Sequence, residues 1–221
     1  MPERFIDRSD AGRKLASDLA PRFAGKPDVI VLALPRGGVP VAYEIALALD
    51  VQLDVFVVRK LGLPGHEEFG IGAIASGGVR VVDEEVLHAY GVNRTALERI
   101  TERERRELKR REQLYRDDRP FPDLRGRTVI LVDDGLATGS TMRAAVAALR
   151  EEGPREIVVA VPVGARETCG AMATIADEVV CLAAPEPFYA VGLWYENFDQ
   201  TSDAEVHDLL ERAAAREVHR H

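Results

Sequence analysis

The chain has 221 residues, of which 46% are hydrophobic and 30% charged, a balance typical of one globular domain with a sizeable core. Its formal net charge of −8 disfavours nucleic acid as a partner, because an acidic protein repels a phosphate backbone. The charged N-terminus and the short apolar runs indicate neither a secretion signal nor a membrane span. We therefore expect a cytoplasmic protein with no nucleic-acid and no membrane partner.

Apolar runs of strand length alternate with amphipathic helical stretches along the chain. The predicted strands are 29–34, 53–58, 70–75, 79–82, 128–132, 157–161 and 178–182. The predicted helices are 38–49, 83–90, 93–115, 140–150, 166–175 and 203–216. This alternation favours an α/β fold with a central, mainly parallel sheet and helices on both faces. In such sheets ligands bind beyond the carboxyl ends of the strands, so residues that directly follow a strand are candidates for a site.

Two other features of the sequence have ordinary structural interpretations. The predicted helix at 94–116 mixes charges of both signs, which is typical of a solvent-exposed helix; a subunit contact or a lid over the site stays an alternative. Cys169 and Cys181 lack the close pairing with further ligands that a zinc site shows. They are interpreted as small apolar fillers near strands; a disulfide is conceivable but not needed, and a reducing compartment fits.

The strongest chemical signal is the segment 129–141, VILVDDGLATGST. A buried strand delivers two adjacent carboxylates, Asp133 and Asp134, and a loop with two glycines and three hydroxyl residues follows. The loop and the helix that begins near Ser140 expose unpaired backbone N–H groups, and the helix dipole adds positive potential, which suits a phosphate. The carboxylates can accept hydrogen bonds from ribose hydroxyls and assist a magnesium ion. A ribose 5-phosphate satisfies both ends of the segment.

Other interpretations of this segment fit less well. A P-loop requires Gly-Lys-Ser/Thr, and no lysine follows Gly139. A dinucleotide-binding fingerprint requires three glycines at fixed spacing, and this loop has two. A phospho-acceptor receiver domain carries its acidic pair after the first strand, whereas here the pair follows at least four predicted strands. An ordinary strand–loop–helix junction with an Asp-rich turn stays open as the structural alternative.

The segment 132–141 resembles the phosphoribosyl pyrophosphate (PRPP) motif of type I phosphoribosyltransferases, and the strand order is similar over residues 29–198. Within that family the chain looks closest to stand-alone bacterial members. The resemblance implies the type I phosphoribosyltransferase fold, with a small hood or flap beside the sheet. It also implies that Asp133 and Asp134 bind the ribose. The implied 5′-phosphate ligands are Gly135, Ala137, Thr138, Gly139, Ser140 and Thr141.

The resemblance assigns the pyrophosphate of PRPP to residues after two earlier strands. Arg36, Gly37 and Gly38 follow the first sheet strand, where the family keeps its pyrophosphate loop, which often holds a strained or cis peptide. The two glycines can turn backbone N–H groups inward, and Arg36 supplies a cation. Arg59 and Lys60 follow the second predicted strand and add two cations. A simple turn at the start of a helix and a solvated basic pair are the alternatives.

The family comparison also suggests how the chain is organised. A single phosphoribosyltransferase domain would occupy 1–221, with 62–122 as a flexible-loop and long-helix insertion and 183–221 as a hood or C-terminal element. The segment 64–69 falls where related enzymes carry a mobile catalytic loop. No catalytic role can be assigned to its His66, Glu67 or Glu68, and the catalytic residues stay unknown.

The segment 189–196, YAVGLWYE, is similar to a late segment of the 6-oxopurine branch of the family. This similarity implies that Tyr189 stacks on a base, that Trp194 helps to line the acceptor pocket, and that Glu196 approaches magnesium together with the acidic pair. That branch has Asp where Glu196 stands, and it has a lysine just upstream that reads a purine oxygen. The segment 183–187 offers no lysine, so purine specificity is not implied.

The implied function is magnesium-dependent phosphoribosyl transfer from PRPP to a nitrogenous base or related acceptor, with release of pyrophosphate. A PRPP-sensing regulatory protein with the same fold and no turnover is the alternative. Such a protein would need a nucleic-acid-binding element or a partner, and the sequence shows no helix-turn-helix ahead of residue 29. The acceptor, the pathway and the oligomeric state are left open, with a homodimer as one arrangement.

Overall fold

The computed structural model describes residues 4–218, apart from the side chains of Glu67, Glu68 and Val218. The α-helices in that range are α1 (Arg8–Phe23), α2 (Gly38–Leu49), α3 (Glu84–Ala89), α4 (Arg94–Arg116), α5 (Ser140–Glu151), α6 (Arg166–Met172) and α7 (Asp203–Val218). The strands are β1 (Val29–Ala33), β2 (Gln52–Val55), β3 (Val58–Leu63), β4 (His66–Ala75), β5 (Arg80–Val82), β6 (Thr128–Val132), β7 (Glu156–Val163) and β8 (Glu178–Ala183). No helix in residues 4–218 is both long and apolar enough to cross a membrane.

Five strands form a parallel central sheet in the order β2–β1–β6–β7–β8. Every residue of β1 and of β6 is buried, as expected for parallel strands that helices cover on both faces. β1 pairs with β6 in a register that places Ala33 beside Val132. The carboxyl ends of the two strands therefore coincide, and the loops that follow them start side by side. The predicted α/β architecture is confirmed.

The helices divide between the two faces of this sheet. Val31 belongs to a core that also contains residues of α1, α2 and α7. Ile30 and Leu32, its neighbours along β1, belong to the opposite core, which contains residues of α5 and α6. The alternation follows from the pleat of the strand, because successive side chains point to opposite faces.

The helix α1 is an element for which the sequence analysis made no prediction. Asp7 caps it by accepting a hydrogen bond from the Asp10 amide at 2.7 Å, and it packs closely on α2. A Cβ at Gly12 would lie only 2.6 Å from the carbonyl oxygen of Val41. Two alanines and a glycine make up half of the buried stripe, so the apolar signal of a helix is weak. The buried residues of α1 are Ala11, Gly12, Leu15, Ala16, Leu19 and Phe23.

The strands β3, β4 and β5 form a separate antiparallel sheet, and this corrects the predicted strand at 53–58. The run predicted as one strand at 53–58 is divided, since β2 ends at Val55 and β3 starts at Val58 in the other sheet. The segment 64–69 is a hairpin turn followed by the start of β4, with Gly65 at a φ of +79°. Pro followed by Gly at the centre of a four-residue turn favours this conformation.

A buried arginine stabilises the junction between the two sheets. Arg116, at the end of α4, donates to the Asp54 carboxylate at 2.8 Å, to the Val55 carbonyl at 2.6 Å and to the Ser76 hydroxyl at 3.0 Å. It also pairs with Glu112 at 3.0 Å. The side chain is 4% exposed, and it satisfies the carbonyl at which the chain leaves the parallel sheet. The sequence pattern of 53–58 holds no sign of this distant partner.

Candidate functional site

The loops after β1 and β6 meet at the carboxyl edge of the central sheet. The Leu34 amide donates to the Val132 carbonyl at 2.9 Å. A Cβ at Gly38 would lie 2.7 Å from that same oxygen and 3.0 Å from the Asp133 Cα. A Cβ at Gly37 would collide with the Asp134 carboxylate. The structure therefore brings the predicted pyrophosphate loop and the acidic pair into one site. Within that loop, the peptide bond between Pro35 and Arg36 is cis.

A side chain added at Gly37 would meet the Asp134 carboxylate, so this glycine offers a direct test of the close approach. We expect Gly37→Ala to displace that carboxylate. It should weaken binding of PRPP, the ligand that the resemblance implies, about three- to tenfold, since small displacements of binding groups are costly. Isothermal titration calorimetry measures the change. Gly170→Ala is the matched control, because a Cβ there meets no atom within 4 Å. Equal affinities for the two variants would show that the Gly37 contact does not position the site.

The predicted phosphate loop is fixed by the neighbouring elements. Leu136 donates to the Val163 carbonyl and accepts from the Ala165 amide, both at 2.9 Å. The Thr168 hydroxyl donates to the Ala137 carbonyl at 2.7 Å. The side chains that remain exposed for a ligand are those of Ala137, Thr138, Ser140 and Thr141. α5 begins at Ser140, so its free amide groups face the same region.

The two carboxylates of the site are electrostatically unfavourable in the absence of a ligand. Burial, and then the negative charge of Asp134, raises the pKa of Asp133 well above its ordinary value. Burial also raises the pKa of Asp134, although Arg8 opposes the increase. The Asp134 amide donates to the Asp133 carboxylate at 2.8 Å. The site thus holds two acidic groups that gain from hydroxyl donors or a cation.

Arg8 is a residue of this site that sequence reasoning missed. Its guanidinium contacts the Asp134 carboxylate through two nitrogens, each at 2.9 Å. It also donates to the Asp199 carbonyl at 2.7 Å and lies 4.0 Å from the centre of the Phe198 ring. One side chain therefore connects α1, the acidic pair and the segment after β8. Asp7 and Asp10 mark the start of α1, but no local pattern indicates a partner 126 residues away.

The segment after β8 forms a hood over the acidic end of the site. The Tyr195 hydroxyl donates to the Asp134 carbonyl at 2.6 Å, and the Val191 side chain covers Gly135 so closely that a Cβ there would collide with it. Tyr195 lies within the segment singled out from the sequence but was not chosen as a site residue. Its burial, rather than its residue type, distinguishes it from the exposed Tyr189 nearby.

The predicted acceptor and metal residues of the hood differ in exposure. Tyr189 is 79% exposed, so it is not a core residue and its ring is accessible. Trp194 is half-buried and packs against a small core that contains Phe5. Glu196 is exposed, and its backbone amide donates to the Phe5 carbonyl at 2.8 Å.

The predicted cations of the pyrophosphate site lie in different surroundings. The Lys60 ammonium donates to the Ser140 hydroxyl at 3.1 Å, at the start of α5. Arg59 pairs with Glu104 of α4 at 2.7 Å, and Arg36 lies 3.7 Å from the Asp203 carboxylate. Arg59 and Lys60 lie within β3 rather than after a strand of the central sheet, which corrects their predicted placement.

No catalytic role is assigned from the sequence to the residues at the hairpin, and only one of their three side chains, that of His66, is described in the structure. His66 is exposed at the start of β4. The side chains of Glu67 and Glu68 lie outside the described residues.

A five-stranded parallel sheet with helices on both faces, a hood, and an acidic pair that precedes a phosphate loop together define the type I phosphoribosyltransferase fold. The family model of the phosphoribosyl transferase domain matches residues 7–191. The chain belongs to this family. The match begins next to Arg8 and includes the acidic pair, the phosphate loop and the start of the hood.

Individual relatives agree with this assignment. The chain is 45% identical to TT1426 of Thermus thermophilus, whose crystal structure superposes with a TM-score of 0.85 and covers 95% of this chain and 98% of that one. It is 48% identical over 95% of its length to Rv0571c of Mycobacterium tuberculosis, a provisionally named phosphoribosyl transferase, and spans 47% of that relative. It is 32% identical to the bifunctional protein PyrR of Roseiflexus sp. over 72% of this chain and 70% of that one.

Proposed function

We propose that the chain transfers a phosphoribosyl group from PRPP to a nitrogenous base or a related acceptor and releases pyrophosphate. The observation that carries this proposal is the close packing of the glycine loop after β1 on the acidic pair after β6. A Cβ at Gly38 would lie within 3.0 Å of the Asp133 backbone. This packing supports the proposal because the groups assigned to pyrophosphate, ribose and 5′-phosphate then follow one another in the order in which these groups are joined in PRPP.

Each part of the site has a role in this reaction. The Gly37 backbone amide and the Arg36 guanidinium stabilise the departing pyrophosphate, whereas the Gly38 amide already donates to the Leu34 carbonyl at 3.1 Å. The loop 135–141 holds the 5′-phosphate. Asp133 and Asp134 accept hydrogen bonds from the ribose hydroxyls. As the bond from the ribose C1 to pyrophosphate breaks, C1 gains positive character and bonds to the acceptor nitrogen, which gives up its proton to solvent or to the departing pyrophosphate. Holding both reactants in line contributes most of the rate, so no covalent nucleophile is needed.

The donor set fits a magnesium ion. Asp133 and Asp134 offer carboxylate oxygens, the ligands that this ion prefers. Burial raises the pKa of both groups, and a nearby cation would offset the cost of their buried charge. Glu196, exposed on the hood, is a third candidate ligand. When bound with PRPP, magnesium would neutralise part of the charge on pyrophosphate.

The test is a screen of purine and pyrimidine bases and of simple amines, each with PRPP and magnesium, that reads pyrophosphate release. Acceptor-dependent release supports the proposal. PRPP binding in calorimetry without release in any reaction would support the alternative, a PRPP-sensing protein with no turnover. Absence of both binding and release would overturn the assignment of the site.

Tyr189 is the proposed stacking residue for the acceptor. Because its ring is 79% exposed, its truncation costs little packing, and stacking on a base contributes about 1–3 kcal/mol. We expect Tyr189→Ala to raise the KM of the acceptor about ten- to a hundredfold and to leave PRPP affinity nearly unchanged. Trp194→Ala should raise this KM less, because Trp194 packs partly inward. Unchanged acceptor kinetics in Tyr189→Ala would exclude a stacking role.

Several sequence-based expectations stay predictions beside this proposal. They are the cytoplasmic location, the homodimer, and the division of the domain at 62–122 and 183–221. The structure assigns 58–82 to the antiparallel sheet and 84–116 to α3 and α4, which is compatible with an inserted unit.

A further inference from the structure

The two cysteines of the chain lie together beside the phosphate loop. Cys169 belongs to α6 and Cys181 to β8, and their sulfur atoms are 3.5 Å apart. Both residues are partly exposed. A disulfide bond measures about 2.05 Å, so the sulfurs need to approach by only about 1.5 Å.

The reactivity of the pair is asymmetric. The neighbouring Cys181 thiol lowers the pKa of Cys169, so Cys169 forms a thiolate more readily than Cys181 does. Cys169 and burial raise the pKa of Cys181, whose sulfur lies 3.2 Å from the Ala183 carbonyl. Since the thiolate is the nucleophile in disulfide exchange, Cys169 is the residue that reacts first.

Cys169 is also packed tightly against the elements that fix the phosphate loop. A Cβ at Gly164 would lie 2.5 Å from the Cys169 sulfur. The preceding residue, Thr168, donates to the Ala137 carbonyl at 2.7 Å. A Cβ at Gly139 would lie 2.6 Å from the methyl group of Thr168. A displacement of α6 toward β8 would therefore move Thr168 relative to the loop.

We propose that Cys169 and Cys181 are a reversible disulfide site, and that its oxidation weakens phosphate-ester binding by displacing Thr168 from the loop. The oxidant is a low-molecular-weight disulfide. The Cys169 thiolate attacks one of its sulfurs and releases a thiolate. Cys181 then loses its proton and attacks the Cys169 sulfur of the mixed disulfide, which releases the second thiol. The protein loses two electrons, and the small disulfide is reduced to two thiols.

The first experiment tests the disulfide without reference to any function. The protein is equilibrated in glutathione buffers of increasing oxidising strength, free thiols are alkylated, and the intact mass is measured. We expect one two-electron transition to a monomeric species that carries neither alkyl groups nor glutathione. Cys169→Ser and Cys181→Ser cannot form this species. Persistent alkylation of both cysteines, two bound glutathiones or a covalently linked dimer would overturn the proposal.

The second experiment tests the coupling to the loop, which rests on the proposed function. Amide hydrogen exchange of 135–141 and calorimetric titration with PRPP are compared for the reduced and the oxidised protein. Oxidation should speed exchange in this segment and weaken PRPP binding about fivefold or more. The double variant Cys169→Ser/Cys181→Ser should show neither change. Equal exchange in both redox states would overturn the coupling. If the reduced protein does not bind PRPP, the proposed function fails, whereas the exchange result still decides the coupling.

Discussion

The double variant Asp133→Asn/Asp134→Asn should bind PRPP on the order of a hundred- to ten-thousandfold more weakly than the unmodified protein. Each carboxylate is proposed to accept a hydrogen bond from a ribose hydroxyl, and hydrogen bonds to charged groups contribute about 1.5–3 kcal/mol each. The variant also loses the negative charge that would attract magnesium. Isothermal titration calorimetry with PRPP and magnesium measures the loss. Unchanged affinity would show that the ribose is not bound here.

The single variant Asp133→Asn separates binding from stability. Burial raises the pKa of Asp133 in the folded state, so the ionised carboxylate lowers the free energy of unfolding at neutral pH. As the pH falls below the raised pKa, the folded protein takes up a proton and the free energy of unfolding recovers. Asparagine is neutral at every pH and can still accept from the Asp134 amide. We therefore expect a melting temperature at pH 7 higher by about 2 °C or more, together with weaker PRPP binding. A lower melting temperature would contradict the electrostatic account.

Arg116→Leu should destabilise the fold by about 3–5 kcal/mol, the loss typical of breaking a buried ion pair. The substitution leaves the Asp54 carboxylate without its cation and the Val55 carbonyl without a donor. Burial already raises the pKa of Asp54 even beside Arg116. The difference in free energy of unfolding between Arg116→Leu and the unmodified protein should therefore be smaller at acid pH, where Asp54 becomes protonated. Urea unfolding at neutral and acid pH measures both effects.

Arg106→Leu is the matched control on the same helix. Its side chain is 79% exposed and pairs only loosely with Glu102, at 3.4 Å, so a change within about 0.5 kcal/mol is expected. Adding Asp54→Leu to Arg116→Leu should restore part of the stability, because no buried carboxylate then remains unpaired. A similar loss in the Arg106 and Arg116 variants would show that the buried network does not hold the two sheets together.

The central sheet and the phosphate motif could be predicted because their signals are local. The strand at 128–132, the acidic pair and the helix that starts at Ser140 follow one another directly, so their spacing alone places them at a strand end. The glycines at 37 and 38 follow another strand end in the same way. Parallel strands bring such ends to one edge of the sheet, and this rule is sufficient to predict that the two loops lie side by side.

The remaining parts of the site depend on contacts between distant residues. Arg8 reaches Asp134 across 126 positions, and Tyr195 reaches it across 61. Lys60 and Arg59 are neighbours in sequence, yet alternation along β3 directs Lys60 toward α5 and Arg59 toward α4. The division of 53–58 depends on Arg116 in the same way. Periodicity and residue type describe each segment by itself and cannot indicate which partner a side chain meets.

The contact of Arg8 with the hood has a consequence for synthesis of the protein on the ribosome. Arg8 and Asp199 are 191 residues apart, and the Phe5 amide donates to the Trp194 carbonyl at 2.9 Å. At about 5–20 residues per second, the N-terminal helix emerges on the order of 10–40 s before its hood partners. Until residues 195–199 are synthesised, Asp134 lacks the Tyr195 hydroxyl at its carbonyl and Arg8 lacks the Asp199 carbonyl. The contacts of Arg8 and Asp134 with the hood therefore form only once residue 199 has left the ribosomal exit tunnel.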